Sequence, residues 1–194
     1  VAPQPNETYC IGADVAEGLA KGDYSVATVL DSKLNVCAKW RGHIDPDLFG
    51  KELVKFGRMY NEAYIAVENN NHGLTTLKSI LLEEYYNLFY TKNYDRVNDT
   101  ISKKLGFTTS VKSKPLAIDK LAEYIRERFF GLWDMDIVSE LYKYVIDDNG
   151  KTNAQEGEFD DCVMSIAIAL QAFLEGRGQD YIPEISRDDV KKFT

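Results

Sequence analysis

The stretch Tyr9-Cys-Ile-Gly-Ala-Asp14 is apolar almost throughout and ends on a carboxylate. A short run of that kind reads as a buried strand in the middle of a sheet, not as an edge strand. An acid half-buried where such a strand ends is costly, and two readings account for it. Asp starts tight turns well, and an acid in a shielded place can also carry chemistry. Gly18 and Gly22 follow in a polar turn, so this stretch alone leaves both readings open.

Tyr24 to Leu30 is rich in β-branched residues and reads as a second strand, Asp31-Ser-Lys33 as a turn, and Leu34 to Arg41 as a third strand. Tight connections make these three an antiparallel meander. Asp45 then caps a helix with Pro46 at its first position, and Leu48, Phe49, Leu53, Phe56 and Tyr60 recur at helical spacing. Asn61-Glu62 breaks that helix. Ala63 to Val67 is a fourth strand, apolar throughout and therefore central, and it also ends on an acid, Glu68. A helix is expected over residues 74–84, with Leu74, Leu77, Ile80 and Leu81 inward, followed by a short fifth strand over 87–90. Strand, helix and strand in that order imply a parallel, right-handed crossover.

Residues 91–114 hold Lys92, Arg96, Lys103, Lys104, Lys112 and Lys114 against only Asp95 and Asp99, a basic excess of four. Within them, 107–111 reads as one arm of a hairpin. A solvated excursion explains the charge run, but its sign opposes that of the whole chain, so a nucleic-acid contact is the competing reading. A helix is expected from Pro115 to Phe130, with Leu116, Leu121, Ile125 and Phe129 on one stripe. Residues 134–138 read as extended, 139–145 as helical and 148–150 as a turn. The last helix starts at Phe159-Asp160-Asp161 and runs through about Leu174, with Val163, Ile166, Ala167, Leu170 and Leu174 marking its buried face. Past Gly176 the chain is polar and Pro-interrupted, as a peripheral arm or linker would be.

The 194 residues are expected to form a single domain, 1–194, with its core over about 8–175. The net charge of −8 argues against charge-driven nucleic-acid binding over the whole surface, though not against a local basic patch. Cys10, Cys37 and Cys162 are odd in number, lack CxxC spacing and sit in apolar segments, so buried free thiols in a reducing compartment are expected. No apolar run approaches the roughly 18 to 20 residues that span a bilayer, and no membrane partner is expected. Val1 opens the chain without an initiator methionine and without a signal-peptide pattern, which reads as an excised fragment or processed chain. No phosphate-binding GxxxxGK[ST] loop is present, and His43 and His72 are too few for a zinc site of His/Cys type.

Three acidic points remain: Asp14, Glu68 and the pair Asp160-Asp161. If the first and fourth strands are neighbours, their acidic ends share one edge, and a helix packed across the sheet brings its N-terminus there too. Three or four carboxylates a few ångströms apart cannot all ionise without a counter-charge. Mg²⁺ or Mn²⁺ suits oxygen ligands, and two such ions roughly 3.5 to 4 Å apart clamp a scissile phosphate. Each acid also has a plain structural account. Asp160 is a good helix N-cap, Asp161 is favoured by the helix dipole, and Glu68 can pair with a base. Jointly, a strand order of β-hairpin-β-α-β-α-β with a final helix opening on Asp-Asp is the layout of the ribonuclease H-like fold: a mixed α/β sheet, antiparallel in its first three strands and parallel in the fourth and fifth, flanked by helices.

Four stretches resemble the C-terminal nuclease domain of the large terminase subunit of tailed bacteriophages. They are Gly12-Ala-Asp14-Val-Ala-Glu-Gly18 with Asp23-Tyr-Ser-Val26, Ala66-Val-Glu68-Asn-Asn70, Gly106-Phe-Thr-Thr-Ser-Val-Lys-Ser-Lys-Pro115, and Asn153-Ala-Gln-Glu-Gly157 through Asp160-Asp161-Cys162 to Ala169. Where the family pattern has His before the paired acids, this chain has Phe159. The resemblance implies a metal-dependent endonuclease that cuts concatemeric double-stranded viral DNA during genome packaging, using two Mg²⁺ or Mn²⁺ ions. It implies Asp14, Glu68 and Asp161 as metal ligands, with Asp160 as a neighbouring or alternate one. Lys103, Lys104, Lys112 and Lys114 would guide DNA, Lys114 near the scissile phosphate. The implied partners are an ATPase motor domain absent from this chain, a small terminase subunit and a portal, in the cytoplasm of an infected host cell. A junction-resolving or transposase-like nuclease would share the fold. A non-catalytic binding module would leave the acids as caps and turn-formers.

Overall fold

The strand Tyr9–Asp14 (β1) lies inside a four-stranded sheet, as its apolar sequence requires. It pairs antiparallel with β2 (Ser25–Asp31) on one side and parallel with β4 (Tyr64–Val67) on the other, and β3 (Val36–Gly42) extends the sheet beyond β2. The first and fourth strands are thus neighbours, in register Ala13 to Val67. The structure, a computed structural model, describes residues 1–19, 21–95, 99–146, 152–154 and 159–176. The expected turn at 148–150 and the tail from 177 lie largely or wholly outside them.

Side-chain alternation along β1 assigns the two faces of the sheet. Ile11 and Ala13 join one cluster with α1 (Pro46–Met59) and α2 (Asn71–Leu82), through Phe49, Leu53, Leu77 and Ile80. The other face carries α3 (Ser113–Arg126), α4 (Met135–Lys143) and α5 (Asp161–Gly176), packed on Val26, Leu30 and Ala66. Cys10, Gly12 and Asp14 point to this second face. Asp45 sits at the N-cap of α1, as its Asp-Pro start requires, and the helix ends where Asn61 and Glu62 both take left-handed backbone angles.

The last helix departs most from its expected pattern. It is buried on every side from Asp161 through Leu170, not along a single stripe. It lies flat on the sheet because Gly12 lets it approach. A Cβ at Gly12 would stand 2.2 Å from both the Ala169 nitrogen and the Ser165 carbonyl oxygen. Thr28, the cross-strand partner of Gly12, fixes the sliding register through a buried 2.7 Å hydroxyl bond to Ser165. Burying Ile166, Leu170 and Phe173 there stabilises the fold by roughly 1.5–3 kcal/mol apiece, as an upper bound.

Several expectations are corrected. The fifth parallel strand reduces to a single bridge between Leu88 and Ile65, after which the chain leaves the sheet. It forms a hairpin of β5 (Tyr90–Asp95) and β6 (Thr100–Leu105), so residues 107–111 are not a hairpin arm. Gly106, at φ 81°, ends that arm, and Phe107 instead bridges Glu68. Residues 135–138 are helical because the Asp134 side chain accepts from the Asp136 and Ile137 amides, an N-cap that the sequence disguised as an extended acidic stretch. Tyr144–Ile146 (β7) leaves the helix and pairs with Thr152–Ala154 (β8). Leu48, Leu74, Leu116 and Phe129 are exposed, and Ala117 and Ile118 take the inward place on α3. Cys37 and Cys162 are buried free thiols, while Cys10 is half-buried. No helix among the described residues is long and apolar enough to cross a membrane.

Candidate active site

The close contact at Gly12 places the acids. Asp14 lies two residues beyond Gly12 along β1, about 6.6 Å, and Asp161 lies one turn before Ser165 along α5, about 6 Å. The strand end and the helix start therefore meet. Glu68 joins them from β4, where its amide donates to the Ala13 carbonyl at 2.9 Å. Asp14, Glu68, Asp160 and Asp161 all line one cleft of about 220 Å³, together with Asp23, Tyr24, Asn70, Thr109, Lys114 and Met164.

Each acid has a holder. Glu68 sits beside Asp14 and favours the protonated form of its carboxyl. The Asn70 side-chain amide donates to Glu68 Oε2 at 3.0 Å and to the Val15 carbonyl at 3.2 Å, and its oxygen caps α2 by accepting from the Gly73 amide. The Tyr24 amide donates to Asp161 Oδ2 at 3.0 Å. The Lys114 ammonium donates to Asp160 Oδ2 at 3.0 Å. The Asp160 carboxylate is turned to Lys114 and not to the amides of α5, while Asp161 does stand in the first turn of α5, where the helix dipole favours an acid. Glu140 on α4 accepts from the first free amides of α5, those of Cys162 at 2.7 Å and Val163 at 3.4 Å.

The electrostatics show an excess of negative charge. Burial pushes the Asp14 carboxyl well above its ordinary value, and Glu68, Asp161 and Asp160 push it the same way. Burial also raises Asp161 to about 7. The Tyr24 amide opposes that rise, while Asp23, Glu140 and Asp160 add to it. Burial works against the charge on Lys114, but Asp160 outweighs it and the lysine is held more firmly protonated than usual. Lys114 thus balances Asp160 and leaves Asp14, Glu68 and Asp161 short of positive charge.

The all-oxygen donor set fits a hard divalent cation. It is not a preformed cage. Among the described residues no three His, Cys, Asp or Glu side chains adopt metal-ligating geometry together, with Asp160 turned to Lys114 and Asp161 to Tyr24.

A carboxyl raised on folding stabilises the fold only while protonated. For Asp161 that contribution is complete below its ordinary value near 3.8 and is lost as pH rises through about 7. The rise from 3.8 to about 7 sets a ceiling of about 4 kcal/mol, lowered by the cleft's opening to solvent. The metal-free chain is expected to lose at least about 4 °C of melting temperature between pH 5 and pH 8 relative to Asp161→Asn. Added Mn²⁺ should restore it at pH 8 far more than at pH 5. Differential scanning calorimetry of both chains checks this, and parallel pH profiles would contradict it.

The lysines divide. Lys114 alone lines the cleft. Lys112 is exposed two residues earlier, at the N-cap of α3, and Lys103 and Lys104 are exposed on β6. Lys92, on β5, stands directly opposite Lys103. The hairpin is rooted beside Glu68, because the Asn69 side chain donates to Leu105 and Thr108 and the Phe107 amide to Val67. Asp23, Tyr24, Asn70 and Thr109, which line the cleft, are not legible from the sequence as site residues. The Thr109 hydroxyl oxygen is buried in this wall with no partner among the described residues.

No protein-family model matches the sequence, and no curated protein matches it significantly. Solved structures do. The large terminase nuclease from thermophilic phage G20c is similar at a TM-score of 0.64 and 22% identity, over 88% of this chain and 84% of that one. Its cobalt-bound form gives 0.66 and 23%, and its magnesium-bound form 0.65 and 22%, over the same shares. This chain has the ribonuclease H-like fold of the phage large terminase nuclease.

Proposed function

We propose that the chain is a divalent-metal-dependent endonuclease that hydrolyses phosphodiester bonds of double-stranded DNA during phage genome packaging. The observation that carries this reading is the meeting of Asp14, Glu68, Asp160 and Asp161 in one cleft whose carboxylates lack positive charge. The similar phage nuclease with bound cobalt or magnesium supports it. Asp14, Glu68 and Asp161 would hold two Mg²⁺ or Mn²⁺ ions, with Asp160 alternate. Ions held there supply Lewis-acid polarisation of a phosphate and acidification of a water.

The chain's own residues do the rest. Asn70 keeps a Glu68 oxygen oriented, and the Tyr24 amide does the same for Asp161. Lys114 carries a fixed positive charge at the cleft wall, where a phosphate oxygen would lie. Met164 adds an apolar side chain to the cleft lining. The lysines of the β5–β6 hairpin and Lys112 hold the DNA backbone and carry no sequence information. In the full system an ATPase domain, a small terminase subunit and a portal would be the partners, in the infected host's cytoplasm.

Supercoiled plasmid incubated with the chain and Mn²⁺ should become nicked and linear, and EDTA should stop the reaction. A chain that leaves plasmid intact across Mg²⁺ and Mn²⁺ concentrations would contradict the reading. Lys112→Ala combined with Lys103→Ala and Lys104→Ala should weaken DNA binding and flatten the salt dependence by roughly one unit of slope per lost phosphate contact. Fluorescence anisotropy over a salt series measures it, and an unchanged slope would remove these lysines from the interface.

A further inference from the structure

We propose that Glu140, held by Arg41, is a positioning residue for Asp161. It touches no part of the cleft and acts through the start of α5. The proposal rests on the metal-binding reading of the cleft.

A helix start leaves its first four amides without intrahelical partners. In α5 the Met164 amide is satisfied by the Asp160 carbonyl. The Cys162 and Val163 amides go to a single oxygen, Glu140 Oε2, from another helix. Local caps were available in Asp160 and Asp161, yet both carboxylates face the cleft. A remote carboxylate, 7% exposed, thus satisfies the helix end and leaves two local ones free for other work. That arrangement is wasteful for stability alone, since burying Glu140 requires burying a partner as well.

The partner is Arg41 on β3. Its Nη2 lies 3.4 Å from Glu140 Oε1. Its guanidinium lies 4.0 Å above the Tyr24 ring and 5.7 Å from that of Phe159. His43 stacks on Tyr24 at 4.2 Å, and Phe159 meets it edge-on at 5.3 Å. Tyr24 is also the residue whose amide holds Asp161 Oδ2. One connected set of side chains therefore fixes Asp161 twice: Glu140 sets where its backbone starts the helix, and Tyr24 sets where its carboxylate points. Arg41 ties the two together. Phe159 serves here as a wall of the Arg41 site.

The test uses Mn²⁺ itself as the probe, by isothermal titration calorimetry, with amide hydrogen exchange at Cys162 and Val163 as a second readout. Glu140→Ala should speed exchange at both amides and lower Mn²⁺ affinity by about tenfold or more, the usual cost of losing a residue that orients a metal ligand. Glu140→Gln keeps an acceptor oxygen and should stay within about threefold of the parent. Glu140→Leu fills the space that alanine empties and takes its place if Glu140→Ala does not fold. In an Asp161→Asn background the same substitution should cost no further affinity. Native Mn²⁺ affinity with exposed amides would overturn the proposal. So would an equal loss in the Asp161→Asn background, because Glu140 would then act elsewhere. A parent chain that binds no Mn²⁺ would instead overturn the metal reading beneath it, a result distinguishable in the first titration.

Discussion

Asp14→Asn is expected to abolish Mn²⁺-dependent plasmid cleavage while leaving the chain folded and, without metal, more heat-stable than the parent. The two effects share one cause. Asp14 is held between Glu68, Asp161 and Asp160, where burial and like charge both disfavour its ionised form. A neutral amide of the same size removes that repulsion, so the metal-free protein gains stability. It also removes one of the oxygens that a cation would need. Losing a mere neighbour of a metal ligand costs about 10- to 100-fold in affinity or activity, so losing a ligand should exceed about a hundredfold. The parent's rise in melting temperature on adding Mn²⁺ should largely vanish in the variant. Undiminished cutting would remove Asp14 from the chemistry. A large fall in metal-free stability would show that its carboxylate serves the fold.

Gly12→Val is expected to have the largest effect on folding. The new side chain would meet backbone atoms of α5, the Ala169 nitrogen and the Ser165 oxygen at 2.2 Å and the Ala169 Cα at 2.7 Å. Backbone in a helix buried on all sides cannot give way as a flexible side chain can. Overpacking commonly costs 1–3 kcal/mol, and a clash with two rigid elements should cost at least about 3 kcal/mol, a large share of the roughly 5–15 kcal/mol that holds a domain. Even Gly12→Ala should melt many degrees lower. Gly22→Ala is the control, because a Cβ there meets its nearest neighbour at an ordinary 3.5 Å. Circular dichroism melting curves decide it. A Gly12→Ala chain melting with the parent would mean that α5 does not lie where its contacts put it.

Much of the architecture was legible because β1 and β4 are apolar almost throughout and each runs into an acid, Asp14 and Glu68. Asp14 and Glu68 needed only that β1 and β4 be neighbours, a condition that the sequence left open and the sheet order meets. Asp160 and Asp161 followed from the helix start. Other parts depend on long-range geometry. Glu140 looks like any polar position on a short amphipathic helix, and its amide partners lie more than twenty residues away. The hairpin was misplaced because Phe107-Thr-Thr-Ser-Val111 has strand-like residues, while the backbone angle that ends the arm belongs to Gly106. Lys112 and Lys114 differ by two residues at the start of one helix, and only packing shows that one enters the cleft and the other faces solvent. Gly12 could be seen as small, but its necessity depends on the turn of α5 that rests on it.

The most direct measurement is an anomalous-diffraction map from a crystal soaked in Mn²⁺. Peaks are expected inside the cleft, within ligand distance of Asp14, Glu68 and Asp161, with Asp161 still bonded to the Tyr24 amide. A map with Mn²⁺ elsewhere on the chain and none between these three carboxylates would contradict it.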